Sequence, residues 1–471
     1  MIPVSLAWIA QQVKGELICN DNSIAENAII QGVSTDTRQI SSNDLFIALH
    51  GPNFDGHQFI TQAQASGATA VIVNRKVETT LAQIVVQDSK VALGLLSKAI
   101  KAEVAPKTVA ITGSSGKTTV KEMVAAILAR RGKVLATKGN FNNDIGVPLT
   151  LLRLESDHEF AVVELGANHL GEIAYTTELV QPDVATITNA AAAHLEGFGS
   201  LLGVARAKSE IFKGLGKDGL AIFNADSQFY AFWHGKYEHL RNQRFSTHSE
   251  VDFYAQDVVM GLDGCADFLM ATPIGKVSVS LPLPGIHNVS NALVSAALAI
   301  EVGANLQDVK DGLQYMAQVS GRLQVKQVSG QVKILDDTYN ANVASVNAAI
   351  DLLASFAGRK VLVLGDMAEL GERARFYHQQ VGEYAKDKGI DDIYSLGVLS
   401  QSASDVYQKS GHHFSDKDAL VAALAEDLAA EKRDISILVK GSRSARMELV
   451  VEALEASPVG KFERFRELMA C

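Results

Sequence analysis

The sequence predicts an α/β protein of three domains, and three observations lead to that prediction. The chain has 471 residues, about three times the roughly 150 residues of an average domain. From residue 107 onward, apolar runs of strand length alternate with helical patterns, as in βαβ units with a mostly parallel sheet. After Gly321 and Arg322 the alternation restarts, which predicts a second, independent α/β sheet.

Residues 1–105 predict a small mixed α/β domain. Its strand-like runs are 45–49, 70–73 and 84–86, and a helix at 90–103 leads out of it towards Pro106. We therefore expect the domains to span residues 1–105, 106–321 and 322–471.

Residues 106–321 predict a central domain with a parallel sheet. A strand at 107–112 precedes a helix at 118–131, whose apolar residues recur from Val120 at helical spacing, and Gly132 suits its C-terminal cap. Further strands are predicted at 133–137, 160–165, 183–189 and 220–224. Residues 225–270 carry no functional pattern and are expected to be variable surface structure.

Residues 322–471 predict the second α/β sheet. Its strands are predicted at 332–335, 360–364, 392–396 and 435–439. Its helices are predicted at 343–356, 373–388, 416–429 and 447–454.

The composition is that of a globular protein. Hydrophobic residues make up 47% and charged residues 20% of the chain, which excludes a disordered protein. The 43 Lys and Arg against 53 Asp and Glu give a net charge of −10. We therefore expect no nucleic-acid partner, although a local basic pocket could still hold one anion.

The cysteines and the N-terminus indicate a reducing, cytoplasmic setting. Cys19, Cys265 and Cys471 are odd in number and far apart, which predicts neither a disulfide framework nor a cysteine metal site. The sequence has no apolar run of 18 residues and no signal-peptide pattern. We expect a cytoplasmic monomer without a membrane span.

The strongest local signal is a short phosphate loop between the first strand and the first helix of the central domain. Its residues are Gly113, Ser114, Ser115, Gly116, Lys117, Thr118 and Thr119. The glycines let backbone N–H groups face an anion, while Lys117 can reach outer phosphates and Thr118 can offer a hydroxyl to Mg²⁺. Ile111 stands where the longer Walker motif has glycine, so a plain glycine turn is the competing interpretation.

Two later strands of the central domain end in groups that could bind a ligand. The strand at 160–165 contains Glu164, and the strand at 183–189 leads to His194. Since parallel strands bring their carboxyl ends to one edge of the sheet, both side chains should lie near the phosphate loop. Lys208, by its pattern alone, is a charged helix residue.

Asparagines mark two further segments. Asn140, Asn142 and Asn143 lie in one loop, where either turn geometry or recognition of a sugar or peptide would explain them. Asn288 and Asn291 stand one turn apart at a helix start, and N-capping would explain one of the two.

Taken together, these motifs resemble the Mur ligases, which are ATP-dependent amide-forming enzymes of peptidoglycan synthesis. The resemblance covers the whole chain through blocks that include STDTR at 34–38, GNFNNDIGVP at 139–148, ELGANHLGE at 164–172, AAAAHLEGFG at 190–199, DDTYNAN at 336–342, LGDMAELG at 364–371 and VKGSRS at 439–444. It implies an N-terminal domain that binds a UDP substrate, a central phosphate-loop ATPase domain and a Rossmann-like C-terminal domain.

The resemblance also implies residue roles. The phosphate loop would hold ATP, with Lys117 on the β- and γ-phosphates. Thr118 and Glu164 would bind one Mg²⁺, and His194 and Lys208 a second. Lys208 would act as a carbamate made with CO₂, which requires a neutral amine and hence a depressed lysine pKa. The catalytic residues implied are Lys117, Glu164, His194, Lys208 and Arg322.

Other implied contacts surround the nucleotide and the substrate. Asn288 and Asn291 would lie near the adenine, Arg322 near the γ-phosphate and Asp337 at the ribose. The implied substrate-binding residues are Ser34, Thr35, Asp36, Thr37, Arg38, Asn140, Asn142, Asn143, Tyr339, Asn340, Lys440, Ser442 and Arg443. The first five of these would hold the uridine nucleotide.

The implied reaction joins UDP-MurNAc-tripeptide to D-Ala-D-Ala through an acyl phosphate made with ATP. His378 and Asp366 are candidate bases for the attacking amine, and the sequence leaves open whether the third stem residue is diaminopimelate or lysine. A folylpolyglutamate synthase or the muramyl ligase of the third residue would share the ATP site. A GTP-binding switch is a further alternative, although the chain lacks an Asn-Lys-x-Asp guanine motif.

Overall fold

In a computed structural model of the protein, three α/β units follow one another along the chain. The structure describes residues 1–19, 27–51, 54–193, 195–316, 321–457 and 459. Each unit builds its main sheet from one stretch of the chain, which confirms the predicted fold class. Among the described residues, no helix has both the length and the apolar character needed to cross a bilayer.

The N-terminal unit is a small mixed sheet flanked by helices. Its strands are β1 (Val4–Ser5), β2 (Glu16–Ile18), β3 (Ile29–Ile30), β4 (Gly32–Ser34), β5 (Asp44–Ile47), β6 (His50–Gly51), β7 (Phe54–Asp55), β8 (Ala70–Val73) and β9 (Ala82–Val85), and its helices are α1 (Leu6–Val13), α2 (Ile60–Ala65) and α3 (Ser89–Val104). The main sheet has the order β2-β9-β8-β5-β4 and is parallel except for β2. Asp88 caps the predicted helix α3 by accepting hydrogen bonds from the N–H groups of Lys90 (2.7 Å) and Val91 (3.0 Å).

The central unit is a nine-stranded sheet with the order β11-β12-β10-β13-β14-β15-β16-β17-β18. Its strands are β10 (Lys107–Thr112), β11 (Lys133–Ala136), β12 (His158–Glu164), β13 (Val184–Ile187), β14 (Leu220–Asn224), β15 (Arg241–Ser246), β16 (Phe253–Met260), β17 (Cys265–Thr272) and β18 (Gly275–Pro284). Its helices are α4 (Lys117–Leu128), α5 (Gly146–Leu151), α6 (Glu172–Val180), α7 (Leu195–Phe198), α8 (Leu201–Lys208), α9 (Tyr230–Lys236), α10 (His287–Glu301) and α11 (Leu306–Gln314). Strands β10 to β16 pair in parallel, and β17 and β18 continue the sheet antiparallel.

Two expectations for the central unit were wrong. Residues 225–270 are not only surface structure, because they contain α9, β15 and β16 and bury Phe245 and Phe253 in the core under α10. Helix α4 ends at Leu128 rather than at residue 131, and Gly132 does not cap it. The N–H groups of Arg130 and Arg131 bond to carbonyls three residues back, so the chain tightens into a turn before Gly132.

The C-terminal unit has the predicted Rossmann-like form. Its strands are β19 (Gln324–Gln327), β20 (Val332–Asp337), β21 (Arg359–Gly365), β22 (Asp392–Leu396), β23 (Gly411–Phe414) and β24 (Ile435–Lys440), and its helices are α12 (Val343–Ser355), α13 (Ala374–Asp387), α14 (Gln401–Ser404), α15 (Lys417–Leu428) and α16 (Glu448–Ala456). The sheet order is β19-β20-β24-β21-β22-β23, parallel except for β19. Helices α12 and α13 cover one face with an apolar core, and α15 and α16 cover the other.

The apolar cores show how the three units are joined. One continuous core runs from the N-terminal unit into the central unit, and it includes Leu93 and Leu96 of α3 together with Leu151 of α5 and Leu179 of α6. The C-terminal unit keeps its own two cores. The first two units are therefore joined by buried apolar surface, whereas the third is not part of that core. The residue boundaries 1–105, 106–321 and 322–471 stay a prediction.

Candidate active site

The predicted phosphate loop joins β10 to α4 as expected. Gly116 precedes the helix with φ 77°, in the left-handed region, and no side chain in the described part of the chain caps the first turn. The backbone N–H groups at the start of α4 are therefore available to an anion. A Cβ at Gly113 would lie 1.9 Å from Thr188 Oγ1, so a larger residue would not fit there.

The end of β13 holds this loop, which the sequence alone did not predict. Thr188 donates a hydrogen bond from Oγ1 to the carbonyl of Ser115 (2.7 Å). Asn189 accepts the Ser115 N–H with Oδ1 (3.0 Å) and donates from Nδ2 to the Ser115 carbonyl (3.1 Å). The one signal in the sequence was that Thr188 and Asn189 end the strand predicted at 183–189, whose carboxyl end should lie at the same edge of the sheet as the phosphate loop.

Glu164 joins two predicted segments at the carboxyl end of β12. Its side chain is buried, with Oε2 accepting from Thr118 Oγ1 (2.9 Å) and Oε1 accepting from Asn142 Nδ2 (2.9 Å). The two contacts fix the orientation of the carboxylate beside the start of α4. A carboxylate and a hydroxyl at this spacing are suitable oxygen ligands for Mg²⁺.

Two lysines meet beside this carboxylate. Lys117 donates from Nζ to the carbonyl of Gly113 (2.9 Å), and burial lowers its pKa while Glu164 opposes the shift. Lys208 is 2% exposed, and burial together with the charge of Lys117 holds its pKa well below the ordinary value. The structure therefore gives Lys208 the depressed pKa that a neutral amine requires.

Arg322 reaches the phosphate loop from the C-terminal unit. Its Nη2 donates to Thr118 Oγ1 (3.2 Å), and its guanidinium carbon lies 4.1 Å from the ring centre of Tyr339. Its Nε is buried and makes no hydrogen bond within the described part of the chain. A buried donor without an acceptor is unfavourable, so this group suits an added anion.

Asp337 and Lys440 form a buried ion pair next to Arg322. Lys440 also donates to the Asn340 carbonyl (2.9 Å), and Asp337 Oδ1 accepts the N–H of Leu323 (3.2 Å). Burial lowers the pKa of Lys440, and the carboxylate of Asp337 opposes that shift. Asp337 was predicted to bind the ribose and Lys440 the substrate, but in this structure the two side chains bind each other.

Neither asparagine at the start of α10 caps that helix, so the capping explanation was wrong. The N-cap position is Ile286, and both asparagines lie inside the helix. Asn288 donates to the Pro284 carbonyl (2.8 Å) and accepts from Asn291 Nδ2 (2.9 Å). A Cβ at Gly116 would lie 2.8 Å from Asn291 Oδ1, so Asn291 lies directly against the phosphate loop.

These groups line one cavity of about 380 Å³ between the central and C-terminal units. The predicted site residues that line it are Ser114, Ser115, Gly116, Lys117, Thr118, Thr119, Asn140, Asn142, Glu164, Lys208, Asn288, Asn291, Arg322, Asp337, Tyr339, Asn340, Lys440 and Arg443. His287, Asn189 and Asn342 also line it without having been predicted as site residues. His194 lies outside the described residues.

Other predicted substrate residues do not line this cavity. Ser34, Thr35, Asp36, Thr37 and Arg38 lie in the N-terminal unit. There the exposed Arg38 donates hydrogen bonds from its side chain and its N–H group to the carboxylate of Asp36, at 2.7–3.2 Å, and these bonds lower the pKa of Asp36 to about 2. Asn143 instead accepts the N–H of Gly146 (2.8 Å) at the start of α5. Ser442 Oγ lies 3.0 Å from Ser444 Oγ.

The two candidate bases for the amine are occupied by structural contacts. His378 is fully buried, with Nδ1 donating to the Ala374 carbonyl (2.7 Å) and Nε2 accepting the N–H of Met367 (2.8 Å). Asp366 accepts the N–H groups of Val398, Leu399 and Ser400 at 2.8–3.0 Å. Both side chains therefore hold backbone groups in or beside the loop at 366–371, and neither lines the cavity. Their suggested role as bases stays a prediction.

Replacing His378 with alanine should loosen this loop. The Met367 N–H would lose its acceptor and a cavity would form, which costs about 2–4 kcal/mol. Hydrogen exchange of the backbone at 366–371 should accelerate at least about tenfold, whereas the exposed His248→Ala control should leave it unchanged. Unaltered exchange in His378→Ala would contradict this role.

The lowered pKa of His378 predicts that the stability of this loop depends on pH. Burial lowers the pKa of His378, so the unfolded chain takes up its proton first as the pH falls below about 6.5. Stabilisation by His378 is present above that pH and is lost as the pH falls towards the lowered pKa. The protection factor of the wild-type loop, which corrects the exchange rate for its intrinsic dependence on pH, should therefore fall with acid more steeply than that of the alanine variant.

Three family models together match most of the chain. The model described as "Mur ligase family, catalytic domain" matches residues 29–131, "Mur ligase middle domain" matches residues 111–299 and "Mur ligase, glutamate ligase domain" matches residues 321–443. The three matches follow the order of the three units described above.

Similar proteins extend the match over nearly the full length. The chain is 48% identical to the UDP-N-acetylmuramoyl-tripeptide–D-alanyl-D-alanine ligase of Escherichia coli K12, covering 97% of this chain and 99% of that protein. A Bacillus subtilis protein of the same name is 36% identical, covering 98% of this chain and 100% of that protein. The crystal structure of MurF from Acinetobacter baumannii matches with a TM-score of 0.90 and 36% identity, covering 97% of this chain and 99% of that one.

Proposed function

The chain belongs to the Mur ligase family, and we propose that within this family it joins D-Ala-D-Ala to UDP-MurNAc-tripeptide with ATP. The products are UDP-MurNAc-pentapeptide, ADP and phosphate, so the enzyme acts in synthesis of the peptidoglycan precursor. The observation that carries the proposal is the identity of 48% across 97% of the chain to a ligase of that name. The cavity between the central and C-terminal units supplies the groups that this chemistry needs.

The cavity fits ATP by three observations on this chain. Among the described residues, no side chain caps the N–H groups at the start of α4, Lys117 lines the cavity, and the buried donor Arg322 Nε has no partner. All three are suited to phosphate oxygens. The crystal structure of a MurF ligase from Thermotoga maritima, which is a complex with ADP, is 26% identical with a TM-score of 0.79 and covers 92% of this chain and 99% of that one.

Glu164, Thr118 and Lys208 fit the magnesium part of the proposal. We infer that Thr118 and Glu164 would hold one Mg²⁺, since their oxygens already lie 2.9 Å apart. Lys208 would contribute to a second ion as a carbamate, for which its depressed pKa supports a neutral amine. The amine nitrogen bonds to the carbon of CO₂ and releases a proton, which leaves a carboxylate-like group.

The chemistry required is activation of a carboxylate, which is a poor electrophile. ATP would supply the phosphoryl group that converts the tripeptide carboxylate into an acyl phosphate, from which the amine of D-Ala-D-Ala displaces phosphate. Lys117 and Arg322 would offset the repulsion between carboxylate and phosphate, both of which are anions. The C-terminal unit, by covering the cavity, would keep water from the acyl phosphate.

The N-terminal unit is the proposed site for the uridine nucleotide, at Ser34–Arg38. We also propose a cytoplasmic monomer that needs no nucleic-acid or membrane partner. A nucleotide-linked substrate and use of ATP support the cytoplasmic location. The net charge of −10 supports the absence of a nucleic-acid partner.

Other ligases of the superfamily are less similar to this chain in sequence and in structure. A folylpolyglutamate synthase from Mycobacterium tuberculosis shares the fold with a TM-score of 0.61 but is only 15% identical. A diaminopimelate-adding ligase matches with a TM-score of 0.54 and 19% identity. Both likenesses concern the fold alone, so they do not favour either substrate.

The reaction can be tested by phosphate release from ATP. Purified protein with Mg²⁺ and UDP-MurNAc-tripeptide should release phosphate only when D-Ala-D-Ala is present, and mass spectrometry should find the amide-linked pentapeptide. Parallel reactions with diaminopimelate, and with a folate plus glutamate, serve as controls for the alternative ligases. Phosphate release that ignores the dipeptide would overturn the assigned acceptor while leaving the ATP site intact.

A further inference from the structure

Asn342, the last residue of the DDTYNAN block, connects the C-terminal unit to the phosphate loop. Its Nδ2 donates a hydrogen bond to the carbonyl of Ser114 (3.0 Å) across the boundary between the two units. On its own side, its Oδ1 accepts the N–H of Ser345 (2.9 Å) and caps α12. One amide therefore holds a helix with its oxygen and the phosphate loop with its nitrogen.

The Ser114 carbonyl is a well-fixed target for that donor. Ser114 is buried, its N–H donates to the Asn189 carbonyl (3.1 Å), and its hydroxyl exchanges hydrogen bonds with the backbone of Ala191 at 3.0 and 3.1 Å. The preceding Gly113 leaves no room for a Cβ beside Thr188. Because the central unit holds Ser114 so closely, Asn342 can meet its carbonyl only in one position of the C-terminal unit.

The contact also lies where it can orient neighbouring groups. Asn342 lies in the segment that follows β20, which ends at Asp337, and the ring of Tyr339 in the same segment packs on Arg322. Arg322 makes a second contact with the loop, at Thr118. The two hydrogen bonds hold the loop at both ends, before and after Lys117.

We propose that Asn342 is a positioning residue that couples docking of the C-terminal unit to the phosphate loop. When the Asn342–Ser114 hydrogen bond forms, Arg322 and Asp337 face the nucleotide; without it, the C-terminal unit docks in this position less often. This inference rests on the proposed function, because it concerns the arrangement in which ATP is used.

The competing explanation is that Asn342 only caps α12. Capping needs the side-chain oxygen alone, and Asp and Ser serve as caps about as well as Asn. Neither Asn342→Asp nor Asn342→Ser retains an amide donor for Ser114. These two substitutions therefore separate the role in the helix from the role in docking.

The test compares both variants with Asn305→Asp, which changes a matched cap. Asn305 caps α11 through a capping box on the exposed surface and does not line the cavity. Three measurements are made on these three variants and on the wild type. They are the thermal midpoint, the radius of gyration from small-angle scattering with a non-hydrolysable ATP analogue and Mg²⁺, and kcat and KM for ATP. Scattering and analogue binding do not require ligation, so they test the coupling even if the assigned acceptor is wrong.

We expect the Asn342 variants to keep the thermal midpoint of Asn305→Asp. When they bind the analogue, their radius of gyration should decrease less than that of the wild type. Their kcat/KM for ATP should fall about tenfold, the effect of losing one buried hydrogen bond. Contraction and kcat/KM equal to those of Asn305→Asp would overturn the proposal. Loss in Asn342→Asp but not in Asn342→Ser would also overturn it, because charge repulsion would then be the cause.

Discussion

Replacing Lys117 with alanine should abolish ligation. The ammonium group of Lys117 lines the cavity at the start of α4, beside the oriented carboxylate of Glu164. Without it, two anions must approach each other with one cation fewer, and loss of a single preorganised donor already costs about 10²–10³-fold in rate. Phosphate release with both substrates should therefore fall by at least about 10³-fold.

A matched control at a second lysine separates the general effect of removing a positive charge from the specific role of Lys117. Lys107 begins the same strand β10 at its opposite end and is exposed, so Lys107→Ala should ligate normally. Burial lowers the pKa of Lys117, which means that its charged form is less favourable in the folded protein than in water. Lys117→Ala should therefore keep the thermal midpoint, and normal ligation by this variant would contradict the assignment of the loop.

Replacing Lys208 with methionine should reduce ligation almost as strongly. Methionine has a similar length but cannot form a carbamate, so one ligand of the proposed second Mg²⁺ would be lost. Charge stabilisation by such an ion is worth several kcal/mol, and about 4 kcal/mol corresponds to about 10³-fold in rate. The exposed Lys213→Met serves as the matched control and should ligate normally.

The carbamate itself can be detected apart from activity. After incubation with ¹³C-labelled bicarbonate, the wild-type protein should give a ¹³C carbamate resonance that Lys208→Met lacks. Since burial holds the pKa of Lys208 well below its ordinary value, acid below that lowered pKa protonates the amine and should remove the resonance. Full activity in Lys208→Met would contradict the metal role.

Local patterns were enough to predict the glycine loop between β10 and α4 and the strands β10 to β14, whereas β15 to β18 were missed. The strand at 107–112, the loop glycines and the helix that follows lie together in sequence, so their backbone geometry is encoded by residue type and spacing alone. The end of α4 was missed by three residues, because turn tightening at Arg130 and Arg131 leaves no mark in apolar periodicity.

The sequence by itself determined the α/β class, the strands β10 to β14 of the central unit, the strands β20, β21, β22 and β24 of the C-terminal unit, the glycine loop between β10 and α4, and the family, but it did not predict β15 to β19 or β23. Only the tertiary structure decided that Lys208 is buried beside Lys117, that Asn189 and Asn342 hold the loop, that Asp337 pairs with Lys440, and that the buried His378 bonds to the backbone of Met367. These contacts join residues up to 228 positions apart. Spacing along a chain encodes period and turn chemistry, whereas burial, pKa and hydrogen-bond partners depend on which elements pack together in space.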